Sequence, residues 1–231
     1  MSNVNKVVLK GLLLILSLMT CFSLLAHGVD DNTKAFLLVN QGISIIPFMY
    51  IGAKHMISGY DHLLFLVGVI FFLYKTSDVL LYVTLFTLGH SATLLLGVLN
   101  NIEFNPYIID AIIALSIVYK GFDNLGGFKS VLGFTPNLKA VVLIFGLFHG
   151  FGLATKIQEF NLPQQGLVEN IIAFNIGVEL GQFIALALVL ILISFWRRFD
   201  SYIKFSLVTN TALMSAGLVL LGLQLGGYFI A

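Results

Sequence analysis

The sequence predicts an all-α polytopic membrane protein, a bundle of six transmembrane helices preceded by an N-terminal signal peptide or anchor. Three observations carry that expectation. Of the 231 residues, 58% are hydrophobic and only 10% charged, against about a quarter charged in a soluble domain. The mean hydropathy is +0.99. The apolar residues fall into separate stretches of the length a helix needs, about 20 residues, to cross hydrocarbon.

Residues 1–26 have the form of a secretory signal. Lys6 and Lys10 precede a short apolar run from Gly11 to Met19, followed by a stretch up to Ala26 that contains the small residues Cys21, Ser23 and Ala26. The run is too short to span comfortably, although an uncleaved anchor from Val7 to Leu25 is the alternative. Cleavage after Ala26 would give His27 an amino group and an imidazole together, a chelate for Cu(II) or Ni(II). Residues 27–55 then form an extracytoplasmic or interfacial segment. Residues 36–51 are apolar, but Gly42, Pro47 and Gly52 interrupt them, which predicts an interfacial or re-entrant element.

The transmembrane domain, 56–231, contains six predicted spans: Met56 to Tyr74, Asp78 to Leu99, Phe104 to Gly121, Leu138 to Thr155, Leu167 to Trp196 and Ser206 to Ile230. With the N-terminus outside, the inner loops hold Lys75, Lys120, Lys129, Lys139, Arg197, Arg198 and Lys204, whereas the outer segments hold only Lys34, Lys54 and Lys156. That asymmetry predicts a multi-pass protein of the plasma (inner) membrane with an extracytoplasmic N-terminus. Trp196 and Tyr202 are expected as interface anchors. The formal charge of +1 gives no reason to propose nucleic acid as a partner, and the single cysteine, Cys21, excludes an intrachain disulfide framework or a Cys-rich metal site. The bilayer is the expected partner, and a homo-oligomer is left open.

Ionisable groups in a bilayer are costly unless paired, hydrated or bound, so each is a functional candidate. Here they are Asp61, His62, His90, Asp110, His149 and Glu179, with His55 just before the first span. At 1.5 Å per residue, His62, His90, Asp110 and His149 all fall roughly 9 to 14 Å below the outer surface, and Glu179 near the midplane at roughly 18 Å, with Asn175 one turn above it. A lone imidazole in a span often serves only as a hydrogen-bonding group. Several at one depth point to a metal site instead. Imidazole with carboxylate suits nickel, cobalt or zinc, whereas Cu(I) prefers sulfur. The expected ligands are His55, His62, His90, His149 and Glu179. Asp61, Ser91, Asp110, Asn175 and Gln182 are expected around them. Asp61 points about 100° away from His62 and is therefore expected to orient a ligand rather than to be one. Ser91 more naturally bonds backbone than acts as a nucleophile.

Gly146-Leu-Phe-His149-Gly150 and Gly177-Val-Glu179-Leu-Gly181 are small-xxx-small patterns. They predict that the fourth and fifth spans pack closely and bring His149 near Glu179. Phe86-Thr-Leu-Gly-His90 and Phe145-Gly-Leu-Phe-His149 share F-x-L-x-H, a possible trace of an internal repeat.

His55-Met-Ile-Ser-Gly-Tyr-Asp61-His62, Phe86-Thr-Leu-Gly-His90-Ser91, Phe145-Gly-Leu-Phe-His149-Gly-Phe-Gly and Phe174-Asn175-Ile-Gly-Val-Glu179-Leu-Gly-Gln182 together resemble the HupE/UreJ family, in its second, HupE/UreJ-like branch. The resemblance runs from about Ser44 onward. It implies about six spans and a histidine-rich site, and the better studied branch is implicated in nickel or cobalt entry for hydrogenase and urease. Asp110 departs from the family pattern, where a Glu is expected. Three functions are open on this reading: a secondary metal permease, a zinc-dependent intramembrane hydrolase with Asp61 or Glu179 as base, and an accessory protein of metalloenzyme maturation.

Overall fold

The computed structural model describes residues 42–158 and 165–230. The expected signal peptide, Cys21, His27 and the start of the apolar stretch from 36 lie outside these. All eight elements among the described residues are helices: α1 (Ile45–Ser58), α2 (Tyr60–Ile70), α3 (Thr76–Leu99), α4 (Pro106–Asn124), α5 (Gly127–Leu132), α6 (Leu138–Gln158), α7 (Leu167–Trp196) and α8 (Ser201–Ile230). Four of them, α3, α6, α7 and α8, are long and apolar enough to cross a membrane. Helix α4 has 19 residues, but Asp110, Lys120 and Asp123 lower its hydropathy.

Local chemistry explains the boundaries. Asn105 caps α4 by accepting from the backbone N–H groups of Tyr107 and Ile108, and Pro106 occupies the first helical position, where no N–H is needed. The short α5 is bracketed by Gly126 and Gly133, both with positive φ, a conformation open to glycine at little cost.

The largest departure from expectation is at the first span. The stretch from Met56 to Tyr74 is not one helix: α1 ends at Ser58, Gly59 is extended (φ −72°, ψ 98°), and α2 begins at Tyr60. The supposed interfacial element is helical from Ile45 and forms the first half of α1. Pro47 is tolerated because it lies in the first turn, where no intrahelical partner awaits its nitrogen. Gly52 is there for contact, since a Cβ would strike the Phe174 carbonyl of α7.

Glycines set the helix pairs. Gly177 and Gly181 of α7 lie against the carbonyls of Met49 and Ala53, so α7 pairs with α1. Gly146 and Gly150 of α6 lie against the carbonyls of Phe86 and His90, so α6 pairs with α3. Both small-xxx-small patterns thus make close helix contacts, but with other partners than expected. Spacing of small residues permits approach without naming the neighbour. Residue numbers rise together in both pairs, so each is parallel. Helices α4 and α8 pair antiparallel, with Gly121 at Met214, Val118 at Gly217 and Tyr107 at Gly227. Helix α2 runs beside α4 in the same direction, tied by the Asn124 amide, which donates to the Gly68 carbonyl (2.9 Å) and to the Asn210 side chain (2.7 Å).

At the end of the bundle expected to be inner, Arg197 Nη2 donates to the Ile70 and Phe71 carbonyls, both at 2.7 Å, closing the C-terminus of α2. Tyr202 also donates to Phe71. Being 1% exposed, it is an interior lock rather than an interface anchor. Lys120, expected in an inner loop, is instead buried in α4 and paired with Asp123 at 2.5 Å. Two apolar clusters divide the core, one around Phe65, Val69, Val83 and Leu186 and the other around Phe48, Leu94, Ile171 and Val178. The polar residues of interest lie between them.

Candidate metal site

The break at Gly59 organises the site. His55 occupies the last turn of α1, Asp61 the first turn of α2, and His62 follows. The α2 N-terminus favours the Asp61 carboxylate through its exposed N–H groups. A Cβ on residue 59 would stand 2.7 Å from His62 Nδ1 and 3.1 Å from both Asp61 Oδ1 and the His55 carbonyl. Only glycine lets these three groups close around the break.

His62 is the hub. Its ring centroid lies 4.9 Å from that of His149, 5.2 Å from His55 and 6.3 Å from His90. Four histidines from α1, α2, α3 and α6 thus meet: the helical rise puts His62, His90 and His149 at one level, and His55 joins them across the break at Gly59. The close α3–α6 packing brings His90 and His149 to the same level, and Thr93 stitches the pair by donating to the Leu147 carbonyl at 2.7 Å. Phe86 lines the group, its ring 4.9 Å from His149 and 6.4 Å from His62.

Hydrogen bonds fix how two imidazoles face the centre. His149 Nδ1 is 3.0 Å from the Phe145 carbonyl. A carbonyl only accepts, so Nδ1 carries the proton and Nε2 the lone pair. His62 Nδ1 is 2.8 Å from Asp61 Oδ1, and an ionised carboxylate imposes the same tautomer. This is how metal-binding imidazoles are commonly oriented. One ligand atom from each of Asp61, His62 and His149 lies within 4.8 Å of the others, and all three residues are buried. A triangle of that edge surrounds its centre at about 2.8 Å, so small side-chain rotations reach the bond lengths of about 2.0–2.2 Å of a zinc-like ion. Asp61 therefore joins the possible ligand set while also orienting His62. Its spacing from His62 suggested only the second role, because the break at α2 was not legible.

Other expected residues fall elsewhere. Glu179 is exposed on α7, whereas Val178 and Gln182 are buried, and it takes no part in the cluster. Asp110 is held by Lys156 Nζ at 2.8 and 2.9 Å. It lines a small pocket together with Tyr60, Asp61 and Gln224. Lys156 was expected as an outer-segment charge, and an acidic residue at matching depth was the available hint of its partner. Gln182 is 2% exposed. It accepts from the Thr87 hydroxyl at 2.5 Å and donates to the Val83 carbonyl at 3.4 Å. It also lines a small pocket beside His62, otherwise walled mainly by apolar side chains such as Phe65, Val69 and Val142. The Ser91 hydroxyl and the Asn175 amide are buried without hydrogen-bond partners among the described residues.

Among the comparisons with known proteins, a family profile described as "HupE / UreJ protein" matches residues 31–231. No match was found among curated proteins or solved structures. The matched stretch includes the break at Gly59, all four clustered histidines and the three glycine-paired helix seams, and the chain belongs to the HupE/UreJ family.

Proposed function

We propose that this chain is a secondary permease for a divalent transition metal of the nickel, cobalt or zinc kind. Asp61, His62 and His149 take the ion, with His55 and His90 beside them. The observation that carries this reading is the convergence of these donors inside an apolar bundle, where only binding or pairing offsets the cost of burying them. The family's association with nickel or cobalt entry supports it. On this reading the site opens to the extracytoplasmic side of the plasma (inner) membrane, and the signal is cleaved. The chain crosses six times, with the broken α1–α2 element counted as the first crossing. The parallel α1–α7 and α3–α6 pairs and the antiparallel α4–α8 pair support that alternation. Discontinuous helices at membrane depth are where transporters commonly hold ions.

Uptake of radioactive nickel, cobalt or zinc by a metal-uptake-deficient cell tests the reading. Accumulation should rise with the wild-type chain and fall to background with His62→Ala or His149→Ala at equal expression. Accumulation unchanged by either substitution removes the proposal.

A second reading is favoured by the count of donors, because two imidazoles and one carboxylate leave an open position for water on zinc. A hydrolase of amide or ester substrates would hold one zinc per chain through purification and show no transport in proteoliposomes. With Asp61 counted among the ligands, the cluster holds no further carboxylate among the described residues to act as the base such a mechanism needs, and this favours the permease. An accessory role in metalloenzyme maturation would show itself by co-purification with a maturation protein.

A further inference from the structure

Beside the Asp61–His62–His149 group lies a second set of polar atoms that the fold buries and leaves without hydrogen bonds among the described residues. They are both ring nitrogens of His90, the Ser91 hydroxyl and both amide atoms of Asn175. His90 is 0% exposed and Asn175 7%. Native interiors satisfy nearly all such atoms, and a cluster of exceptions calls for a bound species.

Helix register brings the three residues together. Gln182 of α7 bonds Thr87 and Val83 of α3, which fixes the facing surfaces of the two helices. Further along the seam, Leu94 of α3 packs in one cluster with Ile171, Phe174 and Val178 of α7, so the two helices run antiparallel. Asn175 precedes Gln182 by seven residues, two turns on the same face. It therefore stands at the level where α3 carries His90, Ser91 and Leu94. The His90 ring is 6.3 Å from that of His62, so this seam adjoins the first site.

We infer that His90, Ser91 and Asn175 form a second, uncharged station for the same transition cation between α3 and α7, an inference that rests on the permease reading. An imidazole nitrogen, a carboxamide oxygen and a hydroxyl oxygen suit a borderline divalent ion. The station has no carboxylate, so it holds the ion more weakly than the site that includes Asp61. Conduction between adjacent sites depends on binding of that kind, firm enough to accept the ion and loose enough to release it. Asn175 and Ser91 thereby act directly on the ion rather than by supporting the ligands of the first site.

The test is titration of the full chain in lipid nanodiscs with Co²⁺, following visible absorption for coordination and heat for affinity. The wild type should show two binding events of unequal strength. Asn175→Leu, close to isosteric, should weaken the second by about tenfold or more while leaving the first within about twofold. Asn175→Asp, which keeps the oxygen and adds charge, should strengthen the second event about tenfold. A single event in the wild type, or two events that neither Asn175 variant moves, overturns the inference while leaving the permease reading in place. Failure of the wild type to bind Co²⁺, Ni²⁺ or Zn²⁺ at all would remove both.

Discussion

At the scale of single residues, Asp61 does two jobs that different substitutions separate. It orients His62 at 2.8 Å and contributes an oxygen to the possible ligand set. Asp61→Asn keeps the shape but removes the charge that holds the His62 tautomer, and metal affinity measured by competition with a chelating dye should fall by about 10–100-fold. Glu179→Gln is the counterpart. The exposed Glu179 carboxylate lies outside the cluster, so affinity in the same assay should stay within about twofold of wild type. An equal loss from both substitutions would mean that the donor group has been misassigned. Gly59 belongs to this scale too, because the contact its missing side chain allows is with His62 and Asp61 themselves. Gly59→Ala should lower affinity without loss of the folded bundle, a pattern read from the chelator assay beside circular dichroism.

At the scale of elements, the glycine seams predict which substitutions damage packing. A Cβ at Gly177 would drive into the Met49 backbone, whereas one at Gly222 meets nothing within 4 Å. Gly177→Ala should therefore destabilise the protein by about 1–3 kcal/mol, the usual cost of overpacking. Gly222→Ala should be neutral or stabilise it by about 0.5–1 kcal/mol through helix propensity. Denaturant unfolding in detergent micelles distinguishes them, and equal behaviour would contradict the α1–α7 seam. The same reasoning explains why His90 and His149 share a level. Gly146 and Gly150 let α6 approach α3 backbone to backbone, and the hydrogen bond from Thr93 to Leu147 fixes the register once they touch.

At the scale of the whole molecule, the alternation of helix directions makes a prediction about sidedness. In a Cys21→Ser background, Asn101→Cys in the turn after α3 should react with an impermeant maleimide added to intact cells. Asn137→Cys, before α6, should react only after permeabilisation. Equal reactivity of both would contradict a chain that crosses the bilayer between them. Broad exposure of large apolar side chains along α7 and α8, such as Leu188, Ile191, Leu192 and Leu207, fits a surface that faces lipid.

The sequence by itself determined the solvent, the helical class and the inventory of chemistry. Apolar length and sparse charge leave few alternatives in a bilayer, and the cost of burying ionisable groups marks His62, His90 and His149 from one sequence. The shared level of His62, His90 and His149 was legible too, because helical rise is fixed. Direction around each helix axis and choice of neighbour were not. Glu179 and Gln182 differ by three residues on one helix, yet the carboxylate faces outward and the amide inward, and only the pairing of α7 with α1 and α3 decides this. Gly59 likewise reads as one more glycine in an apolar run until His55, Asp61 and His62 are seen crowded around it. Composition and spacing constrain a chain along its own axis, whereas the shape of a site depends on contacts between segments far apart in sequence, and those exist only after the helices have packed.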